Sequence, residues 1–261
     1  PLPLASAASV VYKVRPYTRK PVVALAWLMS IFFIPFIGFL AFLIFGSSHL
    51  PQYRRARQHA MNDLIRETTG GTPQLTDSDG LNEATLVASQ LNYKLGSLPL
   101  VGGNSFTLHN DNHEAMRIMA QEVNKAQRYV HFEFYITAYD EASKILWDAL
   151  FAAQKRGVRV RVLIDHIGSR KYPSYRQLTK MLNESGIEWR LMLPIKPWRL
   201  QWQRPDLRNH RKVLVIDGAV AFSGSQNAIH RSYDLKKNVR KSLEWKDLTF
   251  SCTGPIVEEL N

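Results

Sequence analysis

Six positions in the stretch Asn209 to Asn227, NHRKVLVIDGAVAFSGSQN, have the residue types and spacing for phosphoryl chemistry: His210, Lys212, Asp217, Gly224, Ser225 and Asn227, in the order H-x-K-x4-D-x6-G-S-x-N. At average residue usage of roughly 5% each, a chance match in a chain of this length has odds on the order of a few in a million. An imidazole is a nucleophile or a proton carrier. A lysine ammonium and an asparagine amide offset and orient a phosphate. Gly224 and Ser225 add a permissive backbone and a short hydroxyl that can close around an anion.

The elements that must hold these groups are legible nearby. Lys212 to Ile216 is apolar and β-branched, Asp217-Gly218 is a hairpin turn signal, and Ala219 to Phe222 is apolar again, so a tight β-hairpin is expected. Side chains two apart share a strand face, which puts His210 and Lys212 side by side. Asp217 reads either as a turn former or as a functional carboxylate.

Upstream, strand and helix patterns alternate. Helices are expected over His113–Arg128, Glu141–Arg156 and Tyr172–Glu184, and strands over Tyr129–Ile136, Val158–Ile164 and Ile187–Leu193. That order predicts an α/β domain with a mostly parallel sheet covered by helices on both faces. Glu133, on a predominantly apolar strand, needs a partner: an active-site imidazole or a structural arginine. Asp165, at a strand end, carries the same two readings.

The composition narrows the partners. Lys and Arg outnumber Asp and Glu 34 to 22, for a formal charge of +12, which attracts nucleic acid and anionic lipid alike. Val22 to Gly46 contains no charged residue and exceeds the ~20 residues that span a bilayer, predicting a transmembrane segment. Pro35 and Gly38 near its middle would kink a spanning helix or let the segment dip in and return. The expected organisation is a basic juxtamembrane segment at 1–21, readable also as the end of a truncated first membrane helix, then the membrane segment at 22–46, a basic segment and linker at 47–80, and a catalytic domain at 81–261. Tryptophans interleaved with cations from Lys196 to Arg204 suit a head-group interface, or stacking on single-stranded nucleic acid. Cys252 is the only cysteine, so no internal disulfide forms, and His109, His113, His166 and His230 are scattered without metal-ligand spacing.

The motif resembles that of the phospholipase D superfamily. YVHFEFYI (Tyr129–Ile136), RGVRVRVLIDHIGSR (Arg156–Arg170), RNHRKVLVIDG (Arg208–Gly218) and the apolar PFIGFLAFLIFG (Pro35–Gly46) are similar to its bacterial cardiolipin synthase branch. The resemblance implies a phosphohistidine intermediate, with one histidine attacking the phosphodiester and another acting as acid and base. On this chain it makes His210 nucleophile or acid, Lys212 and Asn227 phosphate ligands, Ser225 a further phosphate contact, Gly224 and Glu133 supporting residues, and Asp217 a carboxylate that orients an imidazole. It implies phosphatidyl transfer between two phosphatidylglycerol molecules, giving cardiolipin and glycerol with no metal or nucleotide cofactor, in an integral protein of the bacterial inner membrane. The family carries the motif twice, and none of the other seven histidines opens a second H-x-K. The expectation is therefore the amino-terminal half of a longer protein, inactive alone, or a subunit that completes its site as a homodimer. A homodimeric nuclease of the same superfamily and a non-catalytic membrane scaffold are the alternatives, nucleic acid being the less expected partner beside a membrane segment.

Overall fold

The computed structural model describes residues 21–46, 52–69, 80–96, 98–172, 174–196 and 208–261. The Trp-rich stretch singled out above falls mostly at 197–207, outside the described residues. The chain divides into two compact units, Pro1–Ile65 and Arg66–Asn261.

In the first unit, the uncharged run forms two helices, α1 (Pro21–Phe33) and α2 (Pro35–Phe45), broken at Ile34. Pro35 occupies the first turn of α2, where its missing N–H costs nothing, while Ile34 leaves helical geometry at φ −132° and ψ 70°. The break reverses the chain. Trp27 and Phe42 would lie roughly 22 Å apart along one straight helix, yet their rings meet edge to face with centroids at 5.6 Å. Gly38 makes the fold-back feasible, because a Cβ there would sit 2.3 Å from the carbonyl oxygen of Ser30. No described helix is long and apolar enough to cross a membrane. The single span expected over 22–46 is a helical hairpin instead, and its 13- and 11-residue arms are roughly 20 and 16 Å long. A further helix, α3 (Gln52–Thr69), follows.

The second unit begins with α4 (Glu83–Gly96) and is built on a seven-stranded sheet in the order β1-β7-β6-β5-β2-β3-β4. The strands are β1 (Ser105–His109), β2 (Tyr129–Phe134), β3 (Arg159–Asp165), β4 (Glu188–Met192), β5 (Lys212–Ile216), β6 (Val220–Gly224) and β7 (Thr249–Thr253). Only the β2–β3 and β3–β4 pairs are parallel, and the other four are antiparallel. The sheet is thus mixed, correcting the expected mostly parallel one. The physical reason is local: only β2, β3 and β4 are joined by helical crossovers, whereas the β5–β6 hairpin reverses direction and β7 and β1 continue antiparallel.

The helices α5 (Asn112–Lys125), α6 (Lys144–Lys155) and α8 (Tyr175–Ser185) pack on one face; the short α7 (His166–Arg170) follows β3, and α9 (Lys236–Arg240) and α10 (Ile256–Leu260) flank β7 in sequence. Alternation on β2 and β3 sends Val130, Phe132, Phe134, Val160, Val162 and Ile164 into that layer. There they meet Met116, Met119, Leu146, Trp147 and Leu150. Each such side chain contributes about 1.5–3 kcal/mol by leaving water. The opposite face is covered only in part. Val257 of α10 packs with Val215, Ala221 and Cys252, but Arg159, Arg161 and Leu163 of β3 remain exposed, so the expected two-sided cover is incomplete among the described residues.

Candidate active site

The end of β2 is the ledge on which the site is assembled. Beyond Phe134, the Tyr135 N–H donates to the carbonyl of Arg211 at 3.1 Å, which ties the approach to β5 against β2. On this ledge the imidazole of His210 lies flat over the Tyr135 ring, centroids 3.9 Å apart and planes at 21°. Lys212 places its ammonium 5.7 Å from the same ring centroid and donates to the carbonyl of His210 at 2.7 Å. His210 is exposed, while Lys212 is half-buried. The expected proximity of His210 and Lys212 is present, with Tyr135 beneath both. Burial pushes the Lys212 ammonium below its ordinary pKa, and the carboxylate of Asp247 opposes that fall.

The position of His210 is fixed from two residues upstream. Arg208 donates through Nε at 2.9 Å and Nη2 at 2.6 Å to the Asp165 carboxylate. Its Nη1 donates to the Leu193 carbonyl at 2.8 Å. Both side chains are almost fully buried, at 3% and 0% exposure. Asp165 also accepts from the N–H groups of Ile167 and Gly168 at 3.0 and 2.7 Å. This answers the two readings of Asp165 in favour of the arginine pair. Removing either partner would strand a buried charge, at a cost of about 3–5 kcal/mol.

The second half of the motif closes against the other side of the ledge. Gly224 has φ +149°, and a Cβ there would lie 2.2 Å from the Leu248 carbonyl oxygen, so only glycine lets β6 approach the chain entering β7 so closely. Ser225 then donates its hydroxyl to Asp247 at 2.8 Å and accepts from the Leu248 N–H at 3.0 Å. Asn227 accepts from the Ile136 N–H at 3.0 Å and donates to the Tyr233 hydroxyl at 2.8 Å. Its carboxamide, 6% exposed, braces the ledge. The expectation of Asn227 as a phosphate ligand meets an amide already engaged by the protein.

Asp217 requires a correction. Its carboxylate accepts from the N–H groups of Gln127, Arg128 and Tyr129, each at 2.8 Å. Burial raises its pKa, but these three donors and the Arg128 charge outweigh burial and hold it below the usual carboxylate range. Asp217 and Gly218 both adopt left-handed backbone, with φ 54° and 68°, as the Asp-Gly turn demands. The length of β5 alone puts roughly 17 Å between this turn and Lys212, and His210 lies two residues further on, so Asp217 anchors the hairpin and does not orient that imidazole. Glu133 also departs from both of its readings, since it accepts from the Asn209 side-chain amide at 2.8 Å and so supports the neighbour of His210 rather than the imidazole.

Tyr135, Asp247, Arg208 and Tyr233 carry no role that the sequence alone assigns. Arg208 had a signal, because a carboxylate at the end of an apolar strand requires a cation and Arg208 lies two residues before the motif. Tyr135 and Asp247 had none, since their roles arise only where β2, the hairpin and β7 converge.

The description "cardiolipin synthase, PLD-like domain" matches residues 119–248, and "phospholipase D-nuclease N-terminal" matches residues 4–47. Among curated relatives, a cardiolipin synthase of Geobacillus thermodenitrificans is 32% identical over 213 residues, 80% of this chain and 41% of the relative. A cardiolipin synthase of Geobacillus kaustophilus is 30% identical over 93% of this chain and 47% of its own length. Cardiolipin synthase A of Yersinia pseudotuberculosis is 29% identical over 91% of this chain and 49% of its own. The chain spans about half the length of these relatives. With the motif held at the hairpin and both descriptions matched, the chain belongs to the phospholipase D superfamily and carries the PLD-like domain of its cardiolipin synthase branch.

Proposed function

We propose that this chain supplies one catalytic half of a membrane-bound cardiolipin synthase, which transfers a phosphatidyl group from one phosphatidylglycerol to the hydroxyl of another and releases glycerol. The observation that carries the reading is the exposed His210 imidazole packed on Tyr135 with the Lys212 ammonium beside it. In the first displacement a histidine ring nitrogen attacks phosphorus, the P–O bond to glycerol breaks, and a second histidine protonates the departing oxygen. In the second, that histidine takes the proton of the incoming hydroxyl, a new P–O bond forms and the P–N bond breaks. Atoms and charge balance without a metal or a nucleotide. His210 fills one of the two histidine roles, and a second PLD-like half, in the same polypeptide or in a second copy, fills the other. Lys212 offsets the phosphate charge, and the Ser225 hydroxyl reaches it only by turning away from Asp247.

The amino-terminal hairpin supports integral attachment to a bacterial inner membrane. Val22, Phe32, Phe33, Phe36 and Ile37 all present large apolar side chains outward, and such a surface is favoured in lipid rather than water.

The test is an assay of labelled phosphatidylglycerol in mixed micelles with the full-length protein and its His210→Ala variant. Cardiolipin and glycerol formed by the wild type and absent with the variant are the expected result. Lipid left untouched while a nucleic acid is cleaved in a His210-dependent manner would overturn the lipid assignment and retain the superfamily chemistry.

A further inference from the structure

Between the site and β7 the chain makes an excursion, residues 228–248, that leaves the sheet beside Asn227 and returns at Leu248. It carries five exposed large apolar side chains, Leu235, Val239, Leu243, Trp245 and Leu248, with Val239 at 60% and Trp245 at 61% exposure. Interleaved with them are five exposed cations, Lys236, Lys237, Arg240, Lys241 and Lys246. None of these five is in an ion pair among the described residues. The acids in the same stretch are Asp234, Glu244 and Asp247, and Glu244 is taken by Arg231 at 2.8 Å, and Asp247 by the Ser225 hydroxyl.

The excursion is held in shape by its own hydrogen bonds. The Asn238 side-chain amide donates to the Ser232 carbonyl at 2.9 Å, while Leu243 N–H donates to Asn238 and Trp245 N–H to Arg231. It is also joined to the site. The Trp245 ring meets Tyr233 edge to face at 6.1 Å, and the Tyr233 hydroxyl accepts from Asn227. One aromatic ring separates the apolar patch from the brace of the catalytic ledge.

We propose that this excursion is the surface through which the catalytic unit docks on an anionic lipid interface, with the apolar side chains entering the head-group layer and the lysines and arginine meeting lipid phosphates. Two observations select a lipid surface over a protein partner. The core of a protein–protein interface is depleted in lysine, whereas here apolar side chains and lysines alternate along one exposed segment. A lipid interface accepts that mixture, since alkyl stems lie in the apolar layer while the charged ends reach phosphate. The patch also borders the site, so docking would bring head groups to His210 without extracting the lipid. The inference rests on the reading of that site as one acting on a glycerophospholipid, and adds how the catalytic unit reaches it.

The test places an environment-sensitive fluorophore on the full-length protein at Val239→Cys, with Lys180→Cys on α8 as control. Cys252 is buried and stays unlabelled. Total vesicle binding is not the readout, because the exposed apolar side chains of the amino-terminal hairpin would contribute to it as well. On vesicles of phosphatidylglycerol and phosphatidylcholine, the probe at 239 should shift to shorter wavelength and lose emission to nitroxide-labelled lipid, while the probe at 180 does neither. Vesicles of phosphatidylcholine alone, or the K236E/K237E/R240E/K241E variant, should remove the shift. A 239 probe as water-exposed as the 180 probe on bound protein would overturn the proposal, and equal quenching on neutral vesicles would overturn its anionic character. Shielding that grows with protein concentration without vesicles would assign the patch to a second copy instead. Cardiolipin formation is measured on the same samples: immersion without cardiolipin defeats the catalytic reading alone, and cardiolipin without immersion defeats the docking surface alone.

Discussion

The two ends of the β5–β6 hairpin carry letters of one motif and do different work. At the open end, His210 is exposed, lies on Tyr135 and has Lys212 beside it. At the turn, Asp217 gives both carboxylate oxygens to three backbone donors and has left-handed backbone that few residues adopt. One end is free to meet a substrate, and the other is spent on holding β5 and β6 against β2. The comparison teaches that a motif is a record of what a site needs together, and that some of its residues are needed for the position of the others.

The largest effect expected at the scaffold side of this comparison is at the buried pair. Asp165→Asn should lower unfolding free energy by about 3–5 kcal/mol in denaturant titration, because Arg208 is left charged and buried. A loss under ~1 kcal/mol would show that the pair does not fix the approach to His210.

Next comes Asp217→Asn, expected to cost about 1–3 kcal/mol through lost and mismatched hydrogen bonds to the 127–129 backbone. The same residue predicts a pH signature. Its carboxyl titrates lower in the folded state than in the unfolded chain, so the stability it contributes is full above the unfolded value near 4 and is lost as pH falls through the folded value. Unfolding midpoints measured from pH 6 down to about pH 3 should therefore fall more steeply for the wild type than for Asp217→Asn. Parallel slopes would remove the ionised carboxylate from the account.

The smallest effect belongs to Ser225→Ala, at about 0.5–1.5 kcal/mol of stability. The Leu248 N–H loses its acceptor and Asp247 its donor, but both can turn to water at this exposed position. A larger loss in turnover than in stability would place Ser225 on the substrate side of the comparison.

The sequence made some of this legible and hid the rest for identifiable reasons. The hairpin was readable because Asp217-Gly218 is a local turn signal, and β2, β3 and β4 because each is a short β-branched or alternating stretch between helical patterns. The mixed sheet was not, since β1 and β7 are five-residue strands whose partners lie far along the chain. The composition of 22–46 announced a lipid-compatible segment, yet whether Pro35 bends or reverses it depends on the close approach of Gly38 to Ser30, which no local pattern encodes. At the site, residue types pointed to His210 and Lys212, whereas Tyr135 and Asp247 emerge only from the meeting of three strands.

The central claim is that His210 does the chemistry while Asp217 holds its platform, and one paired measurement tests it. Cardiolipin formation and unfolding free energy are measured together for wild type, His210→Ala and Asp217→Asn in the full-length protein, at a temperature where all three are folded. The account predicts that His210→Ala abolishes turnover at a stability cost below about 1.5 kcal/mol, the scale of its ring stacking, and that Asp217→Asn loses more stability while retaining turnover. A folded Asp217→Asn protein as inactive as His210→Ala would contradict it, and would return Asp217 to the role of a group acting on the catalytic imidazole.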